Sequence, residues 1–528
     1  MFNRITTGFL LSILSGLLFY IGWPTIGLYP LLFIGLTPLL FAFHYLANSD
    51  IKRKGIIWFS FLFIAHATWI GLSSKWFYDS SPKSYFIGVL FESFAYSVLL
   101  SPMLFINKRL GRKWSFIYFL AGHMTIEFVN QYWVLSTPFF SLGSGLGMFP
   151  KIIQSYEIIG IEGGSFFILM ANLGCYLALE KILSKQKPGK SLALISLGIS
   201  PFVLSIFMSF NPDNKKTTIA ALHTFQDTYN RRTHFNPEEI VNKLCEKSKL
   251  KSFSKTELLA WPETIISNVG WMNNLSGENS YKSMLLKLKN TNELSVCFGG
   301  FGFSLDPEGQ NNPYSRLEKA RNFYYRTHNV AVTINKDGLY SLRGKEIFVP
   351  FQERIPFLET LPVMEEFADV VGTNAMVSGY ENSRTVHKTM LGKKFVPVLC
   401  YESIFPLKMA EFASESDFLV VLANEFWNKN LNGSEQYLCS NVAMAIQSRT
   451  AILRSSNSGI SAIIDQDGKV LVRKKGRNAG IIHASISKKQ DFTFYELIAG
   501  IFYKISLIVY LGLLIITIFR SATKTKST

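Results

Sequence analysis

Three short segments of this chain each leave a reactive side chain at or near the end of an apolar run. LLAWPE puts Glu263 just past a strand-like stretch, with Pro262 ending any hydrogen-bonded ladder. FVPVLCYE puts Cys400 at the end of a second such stretch, with Tyr401 and Glu402 beyond it. Between them, GKEIFVPFQERIP sets Lys345 and Glu353 on either side of a rigid Val-Pro-Phe. A cysteine that attacks a carbonyl needs a base to take its proton and a cation or N–H group to hold the oxyanion. Glu263 fits the base and Lys345 the cation, so acyl transfer through Cys400 is the chemistry this trio offers. No histidine stands beside Cys400 in sequence, which makes a papain-type pair less attractive. By residue type alone, the three also read as ordinary surface or core positions.

Five cysteines (Cys175, Cys245, Cys297, Cys400 and Cys439) show no Cys-x-x-Cys or Cys/His metal spacing, so neither metal nor cofactor is expected. An odd count outside the cytoplasm leaves at least one thiol free. A buried, inert thiol is the common fate of any single cysteine, and a nucleophile the rarer one.

The elements that must position these groups begin near residue 217. Runs such as TTIAALHTF, ELLAWPE, ELSVCFGGFGF, NVAVTIN, FVPVLCYE, DFLVVLAN, AILRSSN and SAIID read as strands. PEEIVNKLCEKSKL, SYKSMLLKLKN and SEQYLCSNVAMAIQSRTA read as helices between them. Asn335-Lys336-Asp337-Gly338 and Asp465-Gln466-Asp467-Gly468 mark two hairpins. Strand–helix alternation over this length predicts an α/β domain whose sheets are covered by helices, with its site at strand ends.

The rest of the chain is apolar in blocks. Hydrophobic residues make up 48% and charged residues 17% of the 528. Stretches near 5–22, 26–46, 56–73, 85–106, 114–134, 152–181, 191–209 and 498–519 are each long enough to cross about 30 Å of hydrocarbon, predicting about eight spans. The first is not followed by a cleavage site, so it reads as a span rather than a removable signal. Arg4, Lys52-Arg53-Lys54, the group Lys108 to Lys113, the group Lys181 to Lys190, and Arg520 with Lys524 and Lys526 all fall on one face of such a bundle. The positive-inside rule makes that face cytoplasmic and puts residues 210–497 outside. The net charge of +17 is accounted for by these loops and by anionic lipid, and no nucleic-acid motif accompanies it. The expected division is 1–212 as a seven-span membrane domain, 213–495 as the catalytic domain, and 496–528 as a last span and tail. His66, Glu92, His123 and Glu127 lie inside apolar blocks, where they either pair within the bundle or mark a site. Trp69, Trp76, Phe77, Tyr78, Tyr132 and Trp133 read as an interfacial aromatic belt, or as the lining of a lipid entry.

AWPET, KEIFVPFQE and CYES resemble the Glu–Lys–Cys motifs of the nitrilase superfamily. Fused to membrane spans at both ends, the chain is similar to that superfamily's apolipoprotein N-acyltransferases over nearly its whole length. STPFFSLGSGLG, IIQSYEIIGIEGGSFFI, ANEFW and AIQSRTAILRSSNSGISAIID resemble further segments of that family in the same order. The resemblance implies an αββα sandwich outside the bacterial inner membrane. It makes Glu263 the general base, Lys345 the oxyanion lysine and Cys400 the nucleophile that becomes a thioester, with Glu353, Tyr401 and Glu402 supporting them. It also implies substrate contacts at Phe235, Asn424 and Trp427. A phospholipid is the implied acyl donor and a diacylglyceryl-modified apolipoprotein the acceptor, with the chain working as a monomer among membrane lipids. The chain departs from the family pattern at Gln352, at Glu346-Ile347-Phe348, at Glu425 and at Phe235. These departures bear on the acyl-donor loop and on substrate preference. A membrane-tethered amidase is a rival reading, although one anchor would serve it. A non-catalytic lipid or lipoprotein carrier is another, although it would not need the trio.

Overall fold

The computed structural model describes the whole chain except residues 1, 25, 214–215, 227–236, 249–254, 292, 362–363, 365–376, 382–383, 427, 429, 490 and 526–528. Phe235 and Trp427 therefore lie outside the described residues. Two compact units emerge, Met1–Ser209 together with Leu497–Thr528, and Phe210–Glu496.

Seven helical stretches are long and apolar enough to cross a membrane: Arg4–Gly22, Tyr29–Ala47, Lys54–Ser73, Pro82–Leu110, Tyr156–Leu183, Gly189–Phe207 and Phe494–Thr523. The eighth expected stretch, near 114–134, is the helix Arg112–Val129. Arg112, Lys113 and the buried His123 and Glu127 make it more polar than the others. Leu10, Leu183, Phe207 and Phe519 stay exposed on the first unit, as residues facing lipid would. The four polar residues singled out in its apolar blocks make contacts inside this unit. Glu92 accepts a hydrogen bond of 2.6 Å from Asn130, and Glu127 accepts from the Leu142 N–H at 2.9 Å and the Tyr503 hydroxyl at 3.1 Å. His66 stacks on Tyr96 with ring centroids 4.2 Å apart and lies 5.6 Å from His123. Trp69 is buried against Trp23 and Phe140, whereas Tyr132 is exposed.

In the second unit the strands are, in chain order, β1 (Lys216–His223), β2 (Leu258–Ala260), β3 (Ile266–Trp271), β4 (Ser295–Leu305), β5 (Ser315–Glu318), β6 (Phe323–Asn335) and β7 (Tyr340–Gly344). They continue as β8 (His387–Lys388), β9 (Lys394–Leu399), β10 (Phe418–Asn424), β11 (Ala451–Asn457), β12 (Ile460–Ile464), β13 (Val470–Lys475) and β14 (Gly480–Ser487). One sheet runs β14-β1-β2-β4-β6-β5, with β3 on β4 and β7 on β6, and the other runs β13-β12-β11-β10-β9-β8. Both expected hairpin turns join antiparallel neighbours, β6 to β7 and β12 to β13.

Period-two alternation explains the layering. Ile219, Ala221, Leu258 and Ala260 point to one side of the first sheet and meet Leu399, Phe418, Val420, Leu422 and Leu453 of the second. Ala220, Leu222, Leu259 and Trp261 point the other way, into a core shared with Leu244 of the helix Pro237–Ser248 and Met284 of the helix Asn279–Leu288. The helices Pro406–Ser414 and Asn432–Gln447 cover the second sheet. The result is the αββα sandwich that the resemblance implies.

Candidate active site

Each reactive side chain follows a strand. Glu263 comes three residues after β2, Lys345 directly after β7, and Cys400 directly after β9. Two backbone hydrogen bonds carry the register of the sheet up to these positions. The Lys345 N–H donates to the Asn329 carbonyl at 2.8 Å, and the Gly299 N–H donates to the Pro262 carbonyl at 3.2 Å. Gly299 has to be glycine, because a Cβ there would lie 2.6 Å from Glu263 Cα. Gly299→Ala should therefore push the Glu263 segment off its place, costing about 1–3 kcal/mol by overpacking. The expected readout is a lower Tm together with a loss of activity larger than the lost stability explains. Cys400 has φ 47° and Thr264 φ 49°, left-handed conformations that cost roughly 1–3 kcal/mol each in residues with a Cβ. At Cys400 that turn carries the thiol off the end of its strand.

The side chains converge. Lys345 Nζ donates to Glu263 Oε1 at 2.9 Å and to Glu353 Oε1 at 2.7 Å. Asn329 Nδ2 binds the same two oxygens, at 2.8 Å and 3.2 Å, and so ties the carboxylates together from β6. The other Glu353 oxygen accepts from the Val349 N–H at 2.9 Å, which fixes Glu353 against the Val-Pro-Phe turn. Burial raises the Glu263 carboxyl above its ordinary range, with Lys345 pulling against it. Burial also opposes charge on Lys345, but Glu263, Glu353 and Cys400 outweigh it and hold the ammonium protonated well above the ordinary lysine value. The Cys400 thiol is 5% exposed, and burial, reinforced by Glu263, pushes it well above a free thiol, while Lys345 and a backbone hydrogen bond from Asn424 pull it down. Both burial and Glu263 thus favour the neutral thiol, and attack by such a group would require a base.

The other three cysteines of this unit are buried too, and burial lifts Cys245, Cys297 and Cys439 each to about 12. What distinguishes Cys400 is its place beside Lys345 and Glu263.

Glu402 organises the turn. Its Oε2 accepts from the Leu399 N–H at 2.8 Å and from Arg343 at 2.7 Å, and its Oε1 accepts from Arg343 at 3.1 Å and from the Glu346 N–H at 2.7 Å. It thereby bolts the strand end that carries Cys400 to the strand end that carries Lys345. Burial opposes the Glu402 charge, but Arg343 and these N–H groups outweigh it and hold the carboxyl below the ordinary range. Arg343 is fully buried, packs over Phe412 at 4.6 Å, and was not among the residues the sequence pointed to. Removing one partner of such a pair leaves the other charge uncompensated, at a cost of about 3–5 kcal/mol. Arg343→Met should lower the Tm accordingly. A depressed carboxyl stabilises the fold above its unfolded value and loses that contribution as the pH falls through the folded one. The acid limb of Tm against pH, below about pH 4, should therefore be shallower in Arg343→Met than in the wild type.

The remaining expected residues divide. Tyr401 is buried on the same turn, its ring 5.4 Å from Phe405. Asn424, at the end of β10, binds Thr264 Oγ1 at 2.5 Å and accepts from Asn457 at 3.0 Å, so its side chain braces the turn after Glu263. Glu425 is held by Arg454 at 2.7 Å and by Ser456 at 2.7 Å, a buried network that uses the longer side chain. Asn329 was missed in the sequence, where it reads as the polar start of an apolar strand.

Residues 218–490 match the carbon–nitrogen hydrolase family model, and residues 15–174 match the apolipoprotein N-acyltransferase N-terminal domain. A protein named apolipoprotein N-acyltransferase from Chlorobaculum tepidum is 24% identical, over 92% of this chain and 92% of its own length. A second, apolipoprotein N-acyltransferase 1 from Treponema denticola, is 24% identical over 89% of this chain and 88% of its own. Among solved structures, a nitrilase-superfamily member of branch 10 from Saccharomyces cerevisiae covers 56% of this chain and 97% of its own, with 14% identity and a TM-score of 0.37.

Proposed function

This chain belongs to the carbon–nitrogen hydrolase family, and we infer that it acts as its membrane-embedded relatives are named, as an apolipoprotein N-acyltransferase. The observation that carries the reading is the meeting of Glu263, Lys345 and Glu353 beside a buried Cys400, in a chain whose remaining length is largely apolar helix. The substrates we assign are a phospholipid donor and a lipoprotein whose N-terminal cysteine carries a diacylglyceryl group. Both are lipids that leave a bilayer only at high cost, which fits a reaction run from a multi-span bundle. We place the domain on the outer side of the cytoplasmic membrane, on the strength of the basic loops.

In the first half-reaction Glu263 takes the Cys400 proton as the sulfur attacks the donor's ester carbonyl. The Lys345 ammonium and N–H groups near the Cys400 turn stabilise the tetrahedral oxyanion. As that intermediate collapses, the ester C–O bond breaks and Glu263 returns the proton to the departing lysophospholipid, leaving a thioester. In the second, Glu263 accepts a proton from the lipoprotein's α-amine as nitrogen attacks the thioester. The C–S bond then breaks, and the proton goes back to sulfur. Glu353 and Asn329 keep Lys345 and Glu263 in register throughout.

The test is intact-mass spectrometry of the purified protein in two stages. Incubation with phospholipid alone should add one acyl chain to Cys400, and a diacylglyceryl peptide with a free amine should then remove it and gain the same mass. Persistence of the adduct in the presence of that peptide, or its loss to water at the same rate without peptide, would overturn the assignment in favour of a hydrolase.

A further inference from the structure

A cavity of about 420 Å³ opens beside Lys345, and Arg326 and Arg354 both line it. Arg326 projects from β6, the strand that also supplies Asn329, yet its guanidinium is loosely held. The Nε atom is buried without a hydrogen-bond partner among the described residues. The nearest carboxylates, Asp306 and Glu381, stand 3.8 Å and 3.9 Å away, beyond hydrogen-bonding distance. Arg354 is held differently. Its guanidinium packs over the Tyr314 ring at 4.5 Å and near Phe348 at 5.5 Å, and its Nε donates to the Tyr314 hydroxyl at 3.0 Å. This fixes the plane of the fork toward the cavity.

Carboxylates line the cavity as well, so the charges have to be matched one by one. Lys345 faces two carboxylates, Glu263 and Glu353, and Glu346 is paired with Lys408 at 2.9 Å and with Arg343, which also holds Glu402, at 3.1 Å. Arg326 keeps one buried carboxylate nearby, Asp306 at 3.8 Å, but Glu381 beside Arg326 and Glu359 beside Arg354 are 85% and 57% exposed, where solvent screens an ion pair strongly. Each arginine thus has an exposed partner that a bound anion can replace. Their forks suit a tetrahedral oxyanion with two acceptor oxygens better than a point charge does.

We propose that Arg326 and Arg354 bind the phosphodiester of the acyl donor, so that this cavity takes the donor's head group while its ester carbonyl lies at Cys400. The inference rests on the acyl-transfer reading above and adds the residues that select a phospholipid over other esters. The cavity lies within the usual size of small-ligand pockets. In a glycerophospholipid the ester and the phosphate are separated only by the glycerol backbone, which matches a phosphate site adjoining the oxyanion lysine.

The experiment measures single-turnover acylation of the full-length, detergent-solubilised protein by two donors, a diacyl glycerophospholipid and a neutral aryl ester of the same chain length. Arg326→Gln and Arg354→Gln should each lower the ratio of phospholipid to aryl-ester rates by about 10–100-fold, the span expected for a charge-assisted hydrogen bond. Both rates come from one preparation, so a misfolded fraction cancels from the ratio. Arg326→Lys, which keeps the charge but not the fork, should fall between wild type and Arg326→Gln. An unchanged ratio in both glutamine variants would overturn the proposal while leaving the acyl-transfer reading intact. A wild type acylated by neither donor would overturn both. If inorganic phosphate at millimolar concentration slows aryl-ester acylation only when both arginines are present, and the phospholipid ratio is unaffected by their loss, the site takes free phosphate and the lipid assignment fails.

Discussion

Cys400→Ala should gain no mass on incubation with phospholipid and should transfer nothing, with an expected loss of at least about 10⁴-fold, on the scale of removing a covalent nucleophile elsewhere. Loss of activity alone would not identify a nucleophile, because a buried cysteine can be needed for packing. The informative comparison is with Cys245→Ala, Cys297→Ala and Cys439→Ala. All three thiols are buried, with burial holding them neutral, so each substitution removes a little packing and no reactive group. They should lower the Tm modestly and still form the adduct. Cys400→Ala should do the reverse, because Ala keeps a Cβ in the same left-handed turn and that turn is held by Glu402 through Leu399 and Arg343 rather than by the sulfur. Mass spectra of the four variants after phospholipid, alongside their melting curves, decide the matter. An adduct on Cys400→Ala would remove the residue from the mechanism.

Much of this site was legible in the sequence because its reactive groups are local features. Glu263, Lys345 and Cys400 follow strands whose apolar runs are easy to read, and α/β sandwiches build sites at strand ends. The two hairpin turns and eight of the strands were legible for the same reason. What binds the groups together is not local. Arg343 sits in YSLRG, a five-residue strand where it takes a polar place in the alternation and nothing marks it as buried, and its partner Glu402 is 59 residues away. Asn329 begins an apolar run and reads as a flank, although folding puts it between two carboxylates. Strands β5, β8 and β13 are short or polar, and the pairing of β1 with β14 joins segments more than 250 residues apart, which no window of sequence contains. Glu425 reads as a departure from the family pattern, and only the buried Arg454 and Ser456 around it show how the longer side chain is accommodated.

The sharpest expected result separates Glu263 from Lys345 by the pH dependence of single-turnover acylation by a neutral aryl ester. The ester's phenolate leaves without the proton that Glu263 returns to a lysophospholipid, and the Lys345–Glu263 ion pair sets the form of the two curves. Glu263→Gln keeps the shape and can still accept from Lys345, but it takes no proton. Attack then depends on the thiolate that solvent provides. In the wild type burial and Glu263 raise the Cys400 thiol while Lys345 lowers it, so deleting the carboxylate removes one of the two main causes of the rise and brings the thiol's ionisation downward. The rate in Glu263→Gln should rise about tenfold per pH unit from neutrality, as a free thiol below its ionisation does. With the oxyanion site intact, it should climb toward the wild-type value. Lys345→Met behaves otherwise. It removes a transition-state donor, which costs about 10²–10³ in rate at any pH. It also strips the counter-charge lying 2.9 Å from Glu263 and leaves Glu353 to push that carboxyl further up. Glu263 should then hold its proton to higher pH than in the wild type, so this variant too should gain with pH. Its gain should stop once Glu263 ionises, on a plateau about 10²–10³ below wild type. The two curves therefore differ in their upper limit rather than in whether they rise. A Lys345→Met curve that reaches the wild-type rate, or a Glu263→Gln curve that levels off far below it, would mean that the base and the oxyanion stabiliser have been exchanged.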